Sequence, residues 1–408
     1  MSVLAYPGFR AYFLAAIPLV HALWAQRVTM GWLAWEASGS AGFVGLVAAT
    51  GLMPMLVSGP IFGVLVDRAD IRRAIALTTG SLATLMTVAA LLAGGPGLGQ
   101  GALLVLALAV GIVTSAHHPV RMSLGPRLVP RDAVDGVVAL TALNFNTARM
   151  VAPMLAGLAL ATVGPVATLW ASALLFLPML GAVRWMHPRA LPPPPEVPES
   201  IAVQIAQGAR YVWVTPVARR AMVLTAVMAV LLRGYLELLP VMAEGVHDRG
   251  PEGLGLLTAA AGGGALVAAL GKAAGWARTR DGEPAALALI LLAGVAALVP
   301  LGLSQGWAAA LGWTAVLGFV STYCGVTLQA MVQQVLPDDL RGRVMSLWVV
   351  VGIGAVALGS GLLGLAAGLV GLPTTLAAAG ALGTVGTGAL ILASRDARAR
   401  RRAAVDGR

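Results

Sequence analysis

Charge is what this sequence has least of. Only 11% of its 408 residues are charged, 58% are hydrophobic, and the mean hydropathy is +0.86, which excludes an ordinary soluble domain. Cysteine is nearly missing: Cys324 stands alone in an apolar run, so no internal disulfide can form and the redox compartment stays unread. There is no Walker loop, no paired Cys/His metal spacing and no nucleophile elbow. An ATP-driven pump would therefore need a separate nucleotide-binding chain. A membrane enzyme would need acid/base or metal groups converging inside the bilayer, and the scattered charges offer none. Neither a cofactor nor a metal is expected, and the chain is not expected to be an enzyme. The run AGGG at 261–264 lies far from any strand pattern and reads as helix packing, not as a phosphate cradle.

What the sequence has instead is apolar length. Stretches of roughly 20 residues, enough to cross a bilayer, recur from Ala11 to Ser394, broken by short segments rich in Gly, Pro and Arg. They predict an all-α polytopic membrane protein with twelve transmembrane helices, near 11–36, 43–66, 74–94, 101–118, 136–162 and 166–186, then 217–241, 254–275, 284–303, 307–330, 343–370 and 373–394. The N-terminus MSVLAYPGFRAYF has no basic region and no small-residue cleavage site before the first run, so that run is expected to be a retained helix. A pI near 11 could suggest nucleic-acid binding, but the basic residues come in pieces between apolar spans. Of 27 Lys and Arg, three (Arg27, Arg149 and Arg233) fall deep inside predicted spans and Arg249 follows the seventh; the other 23 all fall in the N-terminus, alternate loops with the span ends that flank them, and the tail. The positive-inside rule then predicts both termini in the cytoplasm of a bacterium, with the chain in its inner membrane.

The two sets of spans repeat each other. LVPRDAVDGVVAL at 128–140 aligns with VLPDDLRGRVMSL at 335–347, at an offset that also lays Gly157 over Gly364; VGLVAATG at 44–51 resembles LGLLTAAAG at 254–262, laying Gly45 over Gly255. Two pseudo-symmetric six-helix bundles are implied, residues 1–186 and 217–394. The proline-rich segment 187–216 between them reads as a cytoplasmic linker with a short amphipathic helix near 199–212, and 395–408 as a basic cytoplasmic tail.

The segment GVLVDRADIRR at 63–73 links the second and third spans. Gly63 allows close packing, Asp67 and Asp70 lie at the positive end of the next helix dipole, and Arg68, Arg72 and Arg73 can pair with them. In a twelve-helix chain this segment resembles the signature loop of the major facilitator superfamily, which there acts as a latch between the halves. By the repeat, Asp338, Asp339, Arg341 and Arg343 are its counterparts. Residues 119–160 and 9–41, with VLPDDLRGRVMSL, look like the branch that contains the enterobactin exporter and macrolide-efflux-type drug antiporters. Two positions depart from that pattern: Ile71 stands where the branch has a basic residue, and Ala152 replaces the glycine before Pro153 in the antiporter-associated motif, which keeps Pro153 and Gly157.

Buried polar residues supply the candidates for a substrate or proton pathway. Arg149, Pro153 and Gly157 share one helix face, with Asn144 and Asn146 nearby. An intramembrane Arg normally faces a partner or a wet cavity, so Arg149 either locks its helix to a neighbour or meets substrate. Arg233 and Glu237 are one turn apart and can pair. The repeat offset also carries Arg27 to 234–237, so Arg27 and Glu237 can instead form a charge pair between the halves that opens and closes. Glu36, at the outer end of the first span, reads as a hydrated interfacial carboxylate or a proton site. His117 and His118 read as interfacial packing, and Trp32, Trp35, Trp185, Trp213 and Trp307 as interfacial belts. The fourth span lacks the Arg that related proton-coupled exporters often carry, so proton coupling rests on the resemblance and on Glu237. The expected function is export of a small amphipathic molecule, drug- or siderophore-like, by alternating access and proton antiport, in a monomer whose partners are lipid, substrate and protons. An uptake permease or a non-transporting sensor is the alternative.

Overall fold

A computed structural model of the chain describes residues 3–56, 62, 70–95, 97–189, 201–275, 285–337 and 340–406, and among these there is no strand. The helices are α1 (Pro7–Glu36), α2 (Ala41–Leu52), α3 (Ile71–Gly94), α4 (Gln100–Arg127), α5 (Val134–Ala182), α6 (Ile201–Val214), α7 (Pro216–Met228), α8 (Gly250–Ala273), α9 (Ala285–Ala296), α10 (Leu298–Leu303), α11 (Trp307–Val335), α12 (Arg341–Val370) and α13 (Leu372–Asp406). Irregular backbone cannot face lipid, where its polar groups would go unpaired, and an all-helical chain is the solution. Large apolar side chains such as Leu77, Leu369 and Val385 stay exposed, as a surface facing hydrocarbon requires.

Several expected boundaries move. The predicted spans 136–162 and 166–186 form the single 49-residue rod α5, broken by a non-helical Gly164 with φ 78°. At 1.5 Å per residue that rod would be about 74 Å long, more than twice the roughly 30 Å hydrocarbon core, so the bend at Gly164 divides it into two crossings. The left-handed φ there suits glycine alone. Eight described helices pass on length and composition without that division, with Ala41–Leu56 and Leu287–Leu303 as shorter apolar helices. Helix α4 runs through Pro119 and Pro126 to Arg127 instead of ending near 118, because prolines inside a bundle lose one hydrogen bond without exposing it to lipid. Arg121 and Arg127, expected in a loop, are consequently buried. The tail continues α13 helically to Asp406.

The contacts between the N- and C-terminal sets of helices repeat as the sequence does. Helix α2 crosses α12 where Gly45 lies against Ser360 and Gly364: a Cβ on Gly364 would come within 2.8 Å of the Gly45 Cα. The first arm of α5 crosses α8 where a Cβ on Gly157 would come within 2.6 Å of the Gly255 nitrogen. Since Gly45 aligns with Gly255 and Gly364 with Gly157, these are one contact used twice. Lipid tails provide no hydrophobic force between helices, so close backbone approach through small residues holds such crossings together. Both lie toward the arginine-poor end, and Gly31 against Pro240 and Gly245 against Trp35 close α1 there too. At the arginine-rich end α6 docks on the C-terminal set: Tyr211 donates to the Val335 carbonyl and Arg343 to the Gln207 amide oxygen.

Adding one methyl at Gly45 or Gly157 drives it into facing backbone, whereas at Gly386 it meets nothing within 4 Å. Gly45→Ala and Gly157→Ala should each cost about 1–3 kcal/mol and lower the thermal midpoint in detergent, with Gly386→Ala unchanged. Equal midpoints for all three would contradict the crossings.

Candidate functional site

The site is built where the helix after α7 loses its regularity. Residues Ala229–Arg233 form a π-helical turn, Gly234–Leu236 a short α-turn, and Val241–Val246 a second π-helical turn after Pro240. Widened turns of this kind leave carbonyls unsatisfied and are common at functional positions. The back of this segment is fixed: Tyr235 shares a 3.0 Å hydrogen bond with Thr314, and Gly234 and Val230 press against Gly359. Its front presents Glu237 to α1. There Arg27 Nε donates to Glu237 Oε2 at 2.9 Å and Arg27 Nη2 to Oε1 at 2.5 Å, a two-pronged pair whose side chains are 31% and 16% exposed. The partners are 210 residues apart, the same interval that separates Gly45 from Gly255. The pair therefore joins one position of each repeat across the axis relating them.

Arg233 has no hydrogen bond or ion pair with Glu237. Its Nε donates to Ser321 Oγ at 3.3 Å, and it feels the like charges of Arg149 and Arg27. Arg149, half-buried in the middle of the first arm of α5, has no hydrogen-bond or ion-pair partner among the described residues. The following residue, Met150, offers its backbone to Gly262 of α8, so this part of α5 faces the C-terminal set. Three guanidiniums thus share one carboxylate, and each would cost about 3 kcal/mol at the centre of a bilayer without compensation. For Arg27, part of the compensation is aromatic. Arg27 lies 5.7 Å from the Trp24 ring centre, Trp24 meets Phe145 edge-on at 5.7 Å, and Arg121 lies 5.7 Å from Phe145. Cation–π contacts of this kind contribute about 0.5–2 kcal/mol each. Trp24, Phe145 and Arg121 were not expected at the site. The signal for the first two was one-turn spacing: Trp24 precedes Arg27 by three residues and Phe145 precedes Arg149 by four.

The other candidates scatter. Buried Asn144 donates to the Ala16 carbonyl at 3.0 Å and clamps α5 to α1, while exposed Asn146 bonds back to Ala142. Glu36 is exposed at the arginine-poor end, beside a hollow lined by Leu33, Ala37, Ala93, Leu98 and Pro165, and does not join the cluster. Pro153 lies inside α5, and Gly157 forms the crossing on α8. Of the latch, Gly63, Asp67, Arg68, Asp338 and Asp339 lie outside the described residues, as does the side chain of Arg341. Asp70 caps α3, accepting from the Arg72 and Arg73 amides at 2.9 and 3.4 Å, with the Arg73 Nε 3.6 Å from its other oxygen. Ile71 is buried in the core, so the position that is basic in the resembling branch carries a packing residue here. His117, also buried, ties α4 to Thr78 of α3 at 3.0 Å. Trp185 and Trp213 are exposed as belt residues, but Trp32 is buried.

A family of transmembrane secretion effectors in the major facilitator superfamily matches residues 1–405. The chain belongs to that family. Among its relatives, the multidrug efflux pump Tap of Mycolicibacterium fortuitum is 28% identical over 335 residues, covering 78% of this chain and 79% of the pump. The enterobactin exporter EntS of Shigella boydii serotype 4 is 28% identical over 360 residues, covering 86% and 83%. Of solved structures, a bacterial homologue of the human lysosomal transporter Spinster, inward-facing and unoccupied, superposes with a TM-score of 0.76 at 15% identity over 95% of this chain and 97% of that one. The nucleoside transporter NupG superposes at 0.71 and 11% identity over 94% and 98%. These two structures share the fold. The protein is accordingly a multi-pass membrane transporter of the major facilitator type, with a bilayer around it and a small molecule as its substrate, and not an enzyme.

A double-mutant cycle with Arg27→Gln and Glu237→Gln should show a coupling of about 1–3 kcal/mol in detergent unfolding; additive effects would mean that the pair contributes nothing. In the connection after the second π-turn, His247 stacks edge-on against Trp307. Burial, then the Arg249 charge, hold its imidazole below the ordinary range, with Asp248 pulling weakly the other way. Its contribution to stability is therefore full above its ordinary pKa of about 6.5 and is lost as pH falls below that value. The thermal midpoint should drop on acidification from neutral pH, and less so in His247→Gln.

Proposed function

We propose that this transporter exports a small amphipathic molecule from the bacterial cytoplasm by alternating access, coupled to proton entry. The observation that carries this reading is the Arg27–Glu237 pair, which bridges the two repeats beneath the closed arginine-poor end. With the termini and the arginine-rich loops in the cytoplasm, the closed end is the outer one, and the chain stands ready to take cargo from inside. Residues 1–186 and 217–394 act as the rocking bodies, 187–216 as the tether between them, and residues 395–408 as a basic extension on the cytoplasmic face.

Opening outward requires α1 and the segment 216–246 to part, which separates Arg27 from Glu237. Once Arg27 has withdrawn, the Glu237 carboxylate faces the opening between the halves and can exchange a proton with that side. Protonation from outside then favours the open state, and release of the proton inward lets the pair re-form. The relatives that pump drugs and enterobactin support the outward direction, and the apolar character of the spans supports an amphipathic cargo.

The test is substrate-dependent proton movement in proteoliposomes, screening hydrophobic drugs and siderophores with wild type and Glu237→Gln side by side. Proton flux that needs both substrate and Glu237 is the expected result. Flux of equal size in both forms would move the proton site away from Glu237, and substrate accumulation without counterflow of protons would indicate uptake.

A further inference from the structure

The proposed function leaves an imbalance of charge at mid-membrane unexplained. Of the 17 acidic residues, only Glu36 and Glu237 fall within predicted spans, and Glu36 sits at the far end of α1. Glu237 is engaged through both oxygens by Arg27. Arg233 has a neutral hydroxyl for a partner, and Arg149 has none among the described residues. Guanidiniums keep their proton in proteins, so the cluster keeps two positive charges that no carboxylate of the spans can balance.

A purely structural arginine would be bonded to carbonyls or a carboxylate, as buried charges normally are. Arg149 and Arg233 instead come from opposite repeats, one on α5 and one on the widened turn Ala229–Arg233. Two donors that approach from the two rocking bodies can close on one ligand and release it as those bodies part. Planar guanidinium forks suit carboxylates, phosphates and phenolates, which they bind with charge-assisted hydrogen bonds. The aromatic edge made by Trp24 and Phe145 lies one turn from Arg27 and Arg149 on the same two helices, and supplies apolar area for the rest of the molecule.

We infer that the cargo is an amphipathic anion, held at mid-membrane by Arg149 and Arg233 with its apolar part against Trp24 and Phe145. This rests on the export reading in treating the cluster as the cargo site. It also defines a competition: an anion drawn toward Arg27 weakens the hold of Arg27 on Glu237, so loading loosens the pair that keeps the outer end shut.

Two dyes with the same xanthene ring and opposite charge, carboxyfluorescein and rhodamine 6G, make the test. Equilibrium binding to purified full-length protein should favour carboxyfluorescein by about tenfold, the effect of one retained charge-assisted contact. Arg149→Gln and Arg233→Gln should each abolish that preference while the protein still elutes as a single species, and Arg149→Lys should keep part of it. The wild-type comparison needs no variant to fold. Equal or tighter binding of rhodamine 6G, failure of carboxyfluorescein to bind, or a preference untouched by Arg149→Gln would overturn the inference. Transport of both dyes in proteoliposomes separates the two readings. Preferential binding of the anion without movement of either dye counts against export and supports the anion site; movement of rhodamine 6G alone supports export and overturns the anion site.

Discussion

Helices in lipid gain nothing from hiding apolar surface from one another, so the halves of this protein are joined by how closely their backbones approach. Among the described glycines, Gly45 against Ser360 and Gly364, and Gly157 against Gly255, are the tightest backbone approaches between the halves, and a larger residue at either crossing would have to move a helix. Because each is the repeat of the other, the two crossings flank the axis between the halves as a matched pair. Everything on that axis, from Trp35 over Gly245 to the Arg27–Glu237 pair, is positioned by them. A few ångströms of separation at those glycines would pull the charge pair apart.

The pair occupies that axis for a reason of symmetry. Two repeated bundles bring equivalent positions face to face only along the line that relates them, and residues 27 and 237 are equivalent. What differs is the chemistry: one repeat contributes a guanidinium and the other a carboxylate, so an approximately symmetric scaffold holds an attractive contact where identical residues would repel. The same break in symmetry shapes the surroundings. The helix carrying Arg27 is continuous, whereas the segment carrying Glu237 is widened on both sides by π-turns and closed by Pro240. That irregular backbone sits inside the protein, where it can be tolerated, and it brings Arg233 toward Ser321 instead of stacking it over Glu237.

Positive charge dominates the middle of the bundle, and the aromatic chain from Trp24 through Phe145 runs alongside it. A rigid aromatic surface next to unneutralised guanidiniums is a poor environment for a cation and a favourable one for a ligand with an acidic group on an apolar frame. In such a site the electrostatic attraction acts over a poorly hydrated path and is strengthened by it.

Much of this was legible in the residues. Apolar length and the distribution of arginines define a polytopic helical protein, the segment 63–73 carries its resemblance to the major facilitator superfamily, and repeat offsets of 207 to 210 pointed to Arg27 and Glu237 as neighbours across the axis. Those features are periodic or compositional and survive without knowledge of any contact. The choice between Arg27 and Arg233 as the partner of Glu237 was not legible, because one-turn spacing permits a pair that the widened turn then denies. Nor could a linear chain show that the fourth helix continues past Pro119 to bury Arg121 and Arg127, that Trp32 packs inward, or that Ile71 fills the core. Each depends on which neighbouring helix is present to satisfy a lost hydrogen bond or cover a side chain, and only tertiary packing decides that.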